Sequence, residues 1–151
     1  MTISIFIYKH RPHYTLGAKS YKDVEGEGTA TTKLFDTYKV TAVFSGHDHI
    51  YYRTKRKATT YIISAGAGAP IYPLRRESDA LATDVYYGKR IKSEIKDGAA
   101  PYKFHGADGL ISDLEEPMFY VLSVRIKGNT VSIEMIDEKT GKVWDKAIIK
   151  E

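Results

Sequence analysis

The stretch Val40-Thr41-Ala42-Val43-Phe44-Ser45-Gly46-His47-Asp48-His49 runs from an apolar segment into two histidines. Its first six residues, rich in β-branched and aromatic side chains, have the composition of a buried strand that stops at a glycine. Gly46 permits a sharp backbone turn, and two imidazoles follow at i and i+2. A strand end is rigid, so both rings can be aimed into one cleft, as a metal site requires. Neutral imidazole is well populated at neutral pH and offers a lone pair to a cation. Asp48, between the two rings, is expected to face away from such a cleft and is not counted as a ligand.

Working outward, Thr29 to Lys39 has helical character. Leu34, Phe35 and Tyr38 are spaced to cover one face, and threonines are available as the N-cap. Before it, Thr15 to Gly28 is polar and Gly-rich, a surface loop, and residues 3–9 read as another buried strand that ends at His10 and is closed by Pro12. Strand, helix and strand in this order predict a parallel crossover unit, whose ligand sites lie at the carboxyl ends of the strands, where His10 and His47 fall. Residues 50–64 predict a hairpin turning near Arg56-Lys57-Ala58. Residues 71–117 read as a long irregular insertion, with turn signals at Lys96-Asp97-Gly98, Pro101 and Ala107-Asp108-Gly109, and with short helices expected near Glu77–Thr83 and Leu110–Leu114. A β-meander follows over 119–126, 131–136 and 143–149, in which the alternation of Val131, Ile133 and Met135 marks one buried face.

Two short motifs carry a family resemblance. Ile7-Tyr8-Lys9-His10, continued by Pro12, resembles the Val-x-x-His motif of the calcineurin-like metallophosphoesterases, and Gly46-His47-Asp48-His49 resembles their closing Gly-His-x-His motif. His49-Ile50-Tyr51-Tyr52-Arg53 is similar to the His-x-Tyr-x-Arg of the purple acid phosphatase-like branch, as is the strand and Gly-rich turn from Thr60 to Pro70. The family's first three motifs, which bring its carboxylates and asparagine, have no counterpart: there is no Gly-Asp dipeptide, and Gly128-Asn129 is followed by Thr130. The chain therefore resembles the C-terminal half of such a domain. The fold this implies is α/β: a single domain over 1–151, part of a metallophosphoesterase β-sandwich flanked by helices.

The resemblance implies a site and a chemistry. His10 and His47 would ligate one metal ion and His49 another, in a centre that holds two divalent or trivalent ions of iron, manganese or zinc. Such a centre clamps a phosphate ester and activates water for attack. The missing bridging carboxylate leaves two close cations without charge compensation, so this chain by itself is expected to hold at most one weakly bound ion and to be inactive alone. Phosphoester hydrolysis then belongs to an intact parent, and the partners implied are a phosphate-ester substrate and either the missing N-terminal half or a homodimer partner. His13 has two readings, a proton donor or phosphate contact and a solvated loop residue. For His105 the pair is a substrate contact from the long loop or a surface residue. Tyr51 and Arg53 either shape the substrate pocket or serve strand packing and an ion pair.

Composition bounds the rest. With 151 residues, 42% hydrophobic and 28% charged, the chain suffices for one domain with a real core. The absence of cysteine excludes disulfides and thiolate metal sites. The apolar runs are of strand length, so no membrane-spanning segment is expected, and the start lacks the features of a signal peptide. The net charge of +4 allows an anionic partner, and the run Arg53-Thr54-Lys55-Arg56-Lys57 reads as a hairpin tip or as a metal-independent anion-binding segment. No nucleic-acid-binding module is visible. A non-catalytic dimeric remnant stands as the alternative to a hydrolase.

Overall fold

The computed structural model of the chain describes residues 3–17, 24, 26–95 and 98–150. Ten strands and one α-helix make up its elements besides two 3-10 turns: β1 (Phe6–Lys9), α1 (Ala30–Thr37), β2 (Ala42–Ser45), β3 (Tyr51–Arg56), β4 (Thr59–Ser64), β5 (Val85–Lys89), β6 (Tyr102–His105), β7 (Ile111–Leu114), β8 (Tyr120–Lys127), β9 (Thr130–Asp137) and β10 (Val143–Lys150). A seven-stranded mixed sheet has the order β1-β2-β4-β3-β5-β6-β7, and a three-stranded antiparallel sheet has the order β10-β9-β8. β1, β2 and β4 are parallel, and every other neighbouring pair is antiparallel. The expected α/β class, a sandwich flanked by helices, is thus corrected. Among the described residues the fold is predominantly β, with one eight-residue helix on one face.

The residues 71–117 account for most of the difference. Instead of an irregular insertion they supply β5, β6 and β7, which extend the large sheet by three strands. Val85, Tyr86 and Tyr87 favour an extended backbone, and Gly88 lets Leu74 lie against the strand, because a Cβ there would meet Leu74 Cγ at 2.7 Å. The helix expected at Leu110–Leu114 is strand β7, whose Leu114 pairs with Tyr102 across the ladder. The helix expected at Glu77–Thr83 is reduced to a 3-10 turn over Glu77–Asp79. Turn signals at Lys96-Asp97 and much of the loop 15–28 lie outside the described residues. Thr15, Leu16 and Gly17 are described and are buried, not surface.

The main core fills the space between the sheets. Ala42, Phe44, Tyr51, Ile62, Tyr87 and Phe104 on the large sheet meet Val131, Ile133 and Met135 of β9, the alternation that the sequence pattern predicts. On the opposite face, α1 lays Phe35 against Val40, Val43 and Tyr61. The helix starts where Thr29 Oγ1 accepts from the Thr32 N–H at 3.2 Å, a side-chain cap on an otherwise orphan donor. β4 serves both layers by strand alternation: Tyr61 faces the helix, Ile62 the sandwich. The basic hairpin turns at Lys57, whose φ of 51° is left-handed, and its cations are drawn to acids: Lys57 Nζ to Asp36 at 2.5 Å and Arg53 Nε to Asp145 at 2.5 Å.

The sandwich is open along one side. β1 ends the large sheet and β8 ends the small one, and between them runs a groove of about 620 Å³ bounded by Tyr8, His10 and Phe44 on one wall and Leu122 and Val124 on the other. Tyr8 is 74% exposed although its ring stacks on Phe44 at 5.2 Å. Among the described residues no helix is long and apolar enough to cross a membrane.

Candidate functional site

His10 and His47 are brought together by the parallel register of β1 and β2. Lys9 pairs with Ser45, so the next residues of both strands leave the sheet side by side, and the Gly46 N–H donates to the His10 carbonyl at 3.0 Å. The two rings cross at 78° with centroids 4.8 Å apart, and His10 Nε2 lies 2.9 Å from His47 Nδ1. Donor bonds of about 2.0–2.1 Å, at the near-tetrahedral or tighter angles zinc accepts, place two imidazole nitrogens about 3.0–3.4 Å apart. The pair therefore fits a shared ion after a small opening movement. Without one, the two nitrogens share a proton as donor and acceptor.

The sharp turn expected at Gly46 is taken by the next residue. His47 has φ 69°, in the left-handed region that a β-carbon disfavours by about 1–2 kcal/mol. Among the described residues the other non-glycine positions with positive φ, Lys39 and Lys57, sit at the end of α1 and at the hairpin turn. Strain at an aimed, half-exposed imidazole is the kind retained where a side chain has a task.

His49 is held differently. Its Nδ1 donates to the Pro70 carbonyl at 3.0 Å, and its ring stacks on Tyr72 at 4.2 Å. That hydrogen bond fixes the proton on Nδ1 and leaves the Nε2 lone pair free for a cation, the outer-shell arrangement common to metal-ligating histidines. Among the described residues, however, no group of three or more histidine or carboxylate side chains converges. Two imidazoles fall short of the three or four protein ligands of a zinc site. Asp48 adds none: it is fully buried, with Oδ2 accepting from Thr15 Oγ1 at 2.6 Å and Oδ1 unpartnered.

The remaining candidates have other placements. His13, read as a possible proton donor, is 1% exposed, packed between Phe35 and Tyr61 with Lys9 Nζ at 3.2 Å from its Nδ1, so a substrate in the open groove does not reach it. Tyr51 and Arg53 both serve Asp145 of β10. The Tyr51 hydroxyl donates to Oδ2 at 2.7 Å, while Arg53 donates from Nε to Oδ2 and from its terminal nitrogen to Oδ1 at 2.8 Å. Burial, and then the Asp145 carboxylate, hold the Tyr51 hydroxyl well above the usual tyrosine range. This tie joins the sheets, and it replaces a substrate-binding role with a structural one. His105, on β6, stands five strand spacings from β1, about 24 Å at 4.8 Å each. It donates from Nδ1 to the Asp84 carbonyl at 3.2 Å and stacks on Tyr86, too far to touch a ligand held by His10 and His47.

Asp145 is the polar residue that sequence reading passed over. It lies in phase with Ala147 and Ile149, the inward series of β10, and a carboxylate in such a series demands a buried cation. That phase was the available signal.

No family model matches the sequence, and no curated protein matches it. Among solved structures the chain is similar to GAP50, the anchor in the inner membrane complex of Plasmodium, with 14% sequence identity and a TM-score of 0.58. The match covers 97% of this chain and 36% of that one, so the chain spans about a third of that structure's length. At this identity the likeness concerns the fold alone. The resemblance to the C-terminal half of a calcineurin-like metallophosphoesterase is accordingly corrected: it rests on short histidine motifs at strand ends, and no comparison indicates that family.

Proposed function

We propose that His10 and His47 are the histidine half of a transition-metal site completed by another polypeptide segment lying along β1, and that the completed site hydrolyses phosphate esters. The observation that carries this reading is the 2.9 Å approach of two imidazole nitrogens at the ends of parallel strands, one of them on a strained backbone. A divalent ion there would supply the Lewis acidity and charge neutralisation that phosphoester hydrolysis requires at neutral pH. The chain's own part is to present the two rings at a rigid sheet end, to hold a third imidazole, His49, through its Nδ1, and to leave the groove beside β1 open for the segment that brings carboxylates.

Calorimetric titration with zinc, cobalt(II) or manganese tests the ligand assignment. One ion should bind weakly, in the sub-millimolar range, and be lost in His10→Ala and in His47→Ala, while p-nitrophenyl phosphate stays intact with the chain alone. Binding that survives both substitutions, or no binding below millimolar, overturns the assignment. A longer polypeptide or complex containing the chain should turn over that substrate only with His47 present.

A second reading is favoured by the apolar side chains along the same opening. Tyr8 is 74%, Val124 37% and Ile126 58% exposed on the edge strands β1 and β8. A second copy covering them would make the chain a non-catalytic dimer. Sedimentation analysis separates the two, because the dimer reading requires self-association without added metal.

A further inference from the structure

Cations are placed unevenly over this surface. Among the described residues some have a carboxylate within reach: Lys57 has Asp36, Arg53 has Asp145, Arg76 has Asp79, Lys146 has Glu134 and Arg90 has Asp113. Lys103 takes two, Glu77 at 2.6 Å and Glu94 at 3.5 Å. The Lys103 pairings occupy two acids beside β5. Among the described residues Arg75, Lys89 and Lys92 have no carboxylate within salt-bridge distance, and all three line one groove of about 630 Å³.

Backbone hydrogen bonds build the groove. Residues 72–74 run beside the end of β5, with the Leu74 N–H donating to the Lys89 carbonyl at 2.9 Å and the Lys89 N–H to the Tyr72 carbonyl at 3.0 Å. This sets Pro73 across from Lys89, with Arg75 two residues further along. The chain then turns through a 3-10 turn at Lys92–Glu94, held by Arg90, whose Nε donates to the Ala100 carbonyl at 3.0 Å. Between the cations lie Pro73, Ile91 and Ile95, the last 38% exposed. No carboxylate lines the groove among the described residues.

We infer that this groove binds an organic phosphate, an anionic phosphate ester attached to an apolar body. Arg75, Lys89 and Lys92 supply a cationic wall for the phosphate, which makes charge-assisted hydrogen bonds. Pro73, Ile91 and Ile95 supply a wall from which water is displaced by the ester's apolar part. The volume falls within the range of about 300–1,000 Å³ usual for small-ligand sites. The inference is independent of the histidine pair, since none of its residues belongs to that pair.

Calorimetric titration of the whole chain with 1-naphthyl phosphate, with inorganic phosphate as the reference probe, tests it. Naphthyl phosphate should bind at least tenfold more tightly than inorganic phosphate. Its affinity should fall at least tenfold in Arg75→Gln/Lys89→Gln/Lys92→Gln, and stay within twofold in His47→Ala and in the charge-matched Lys33→Gln/Lys55→Gln/Arg125→Gln. Co-sedimentation with phosphatidic acid vesicles distinguishes the source of the ester. Loss of soluble-probe binding in the groove variant assigns a free organic phosphate, and loss of vesicle binding alone assigns a lipid headgroup. Equal losses in the groove and charge-matched variants, no preference for the naphthyl ester where only soluble probes bind, or no binding to either probe would overturn the inference.

Discussion

The histidine corner at the ends of β1 and β2 and the polar tie between the two sheets draw on one short stretch, residues 47–53. In the corner, imidazoles face solvent and meet each other, and the local backbone is strained at His47. In the tie, Tyr51 and Arg53 are withdrawn from solvent, and the Tyr51 hydroxyl and Arg53 Nε and Nη2 meet the Asp145 carboxylate across 92 or more residues of sequence. Three residues separate His47 from Tyr51, yet one polar group is available for a ligand and the other is consumed by the fold. Residue type does not distinguish them. Exposure and the partner brought by a distant strand do.

Alkali should break the fold through its buried tyrosines. Burial raises the hydroxyls of Tyr51, Tyr52 and Tyr120, and pushes Tyr61, Tyr86 and Tyr87 up to about 12. An unfolded tyrosine ionises near 10. Because the folded values are raised, their contribution to stability is complete below pH 10 and is lost as pH climbs from 10 toward 12 and beyond. Tyrosinate absorbance and circular dichroism should therefore change together in one cooperative step in that window. Tyrosines that ionise noncooperatively near 10 without loss of fold would contradict their burial.

Next in size, Asp145→Ala should cost about 3–5 kcal/mol in urea unfolding, the usual penalty for leaving a buried cation without its partner. Arg53, with 14% of its side chain exposed, cannot recover water fully. A loss below about 1 kcal/mol would show that the tie contributes specificity without stability. Smallest is His47→Gly. It should stabilise the chain by about 1 kcal/mol, since glycine tolerates the left-handed backbone, while zinc binding disappears. Opposite signs for stability and binding at one position would sharpen the contrast between the regions. A destabilised His47→Gly would mean that the ring itself holds the turn.

Much of the first half was legible in the sequence because its signals are local. The cap at Thr29, the paired strands around α1 and the hairpin at Lys57 each follow from residues within a few positions of one another. The segment 71–117 was misread because its first strand, β5, is anchored by a non-local ladder to β3, which no local pattern announces. For the site, the meeting of His10 and His47 followed from two strand ends in sequence. The burial of His13 beneath α1, the removal of Tyr51 and Arg53 to Asp145, and the distance of His105 did not.

By itself the sequence determined which residues are extended in the first 64 positions and in the C-terminal meander, where the helix begins, and that two histidines follow strands of a parallel unit, because propensity, capping and strand alternation act over a few residues. Only the tertiary structure decided which polar groups remain available. That depends on which strand, up to 94 positions away, arrives with a carboxylate, and on which edges of the two sheets are left open.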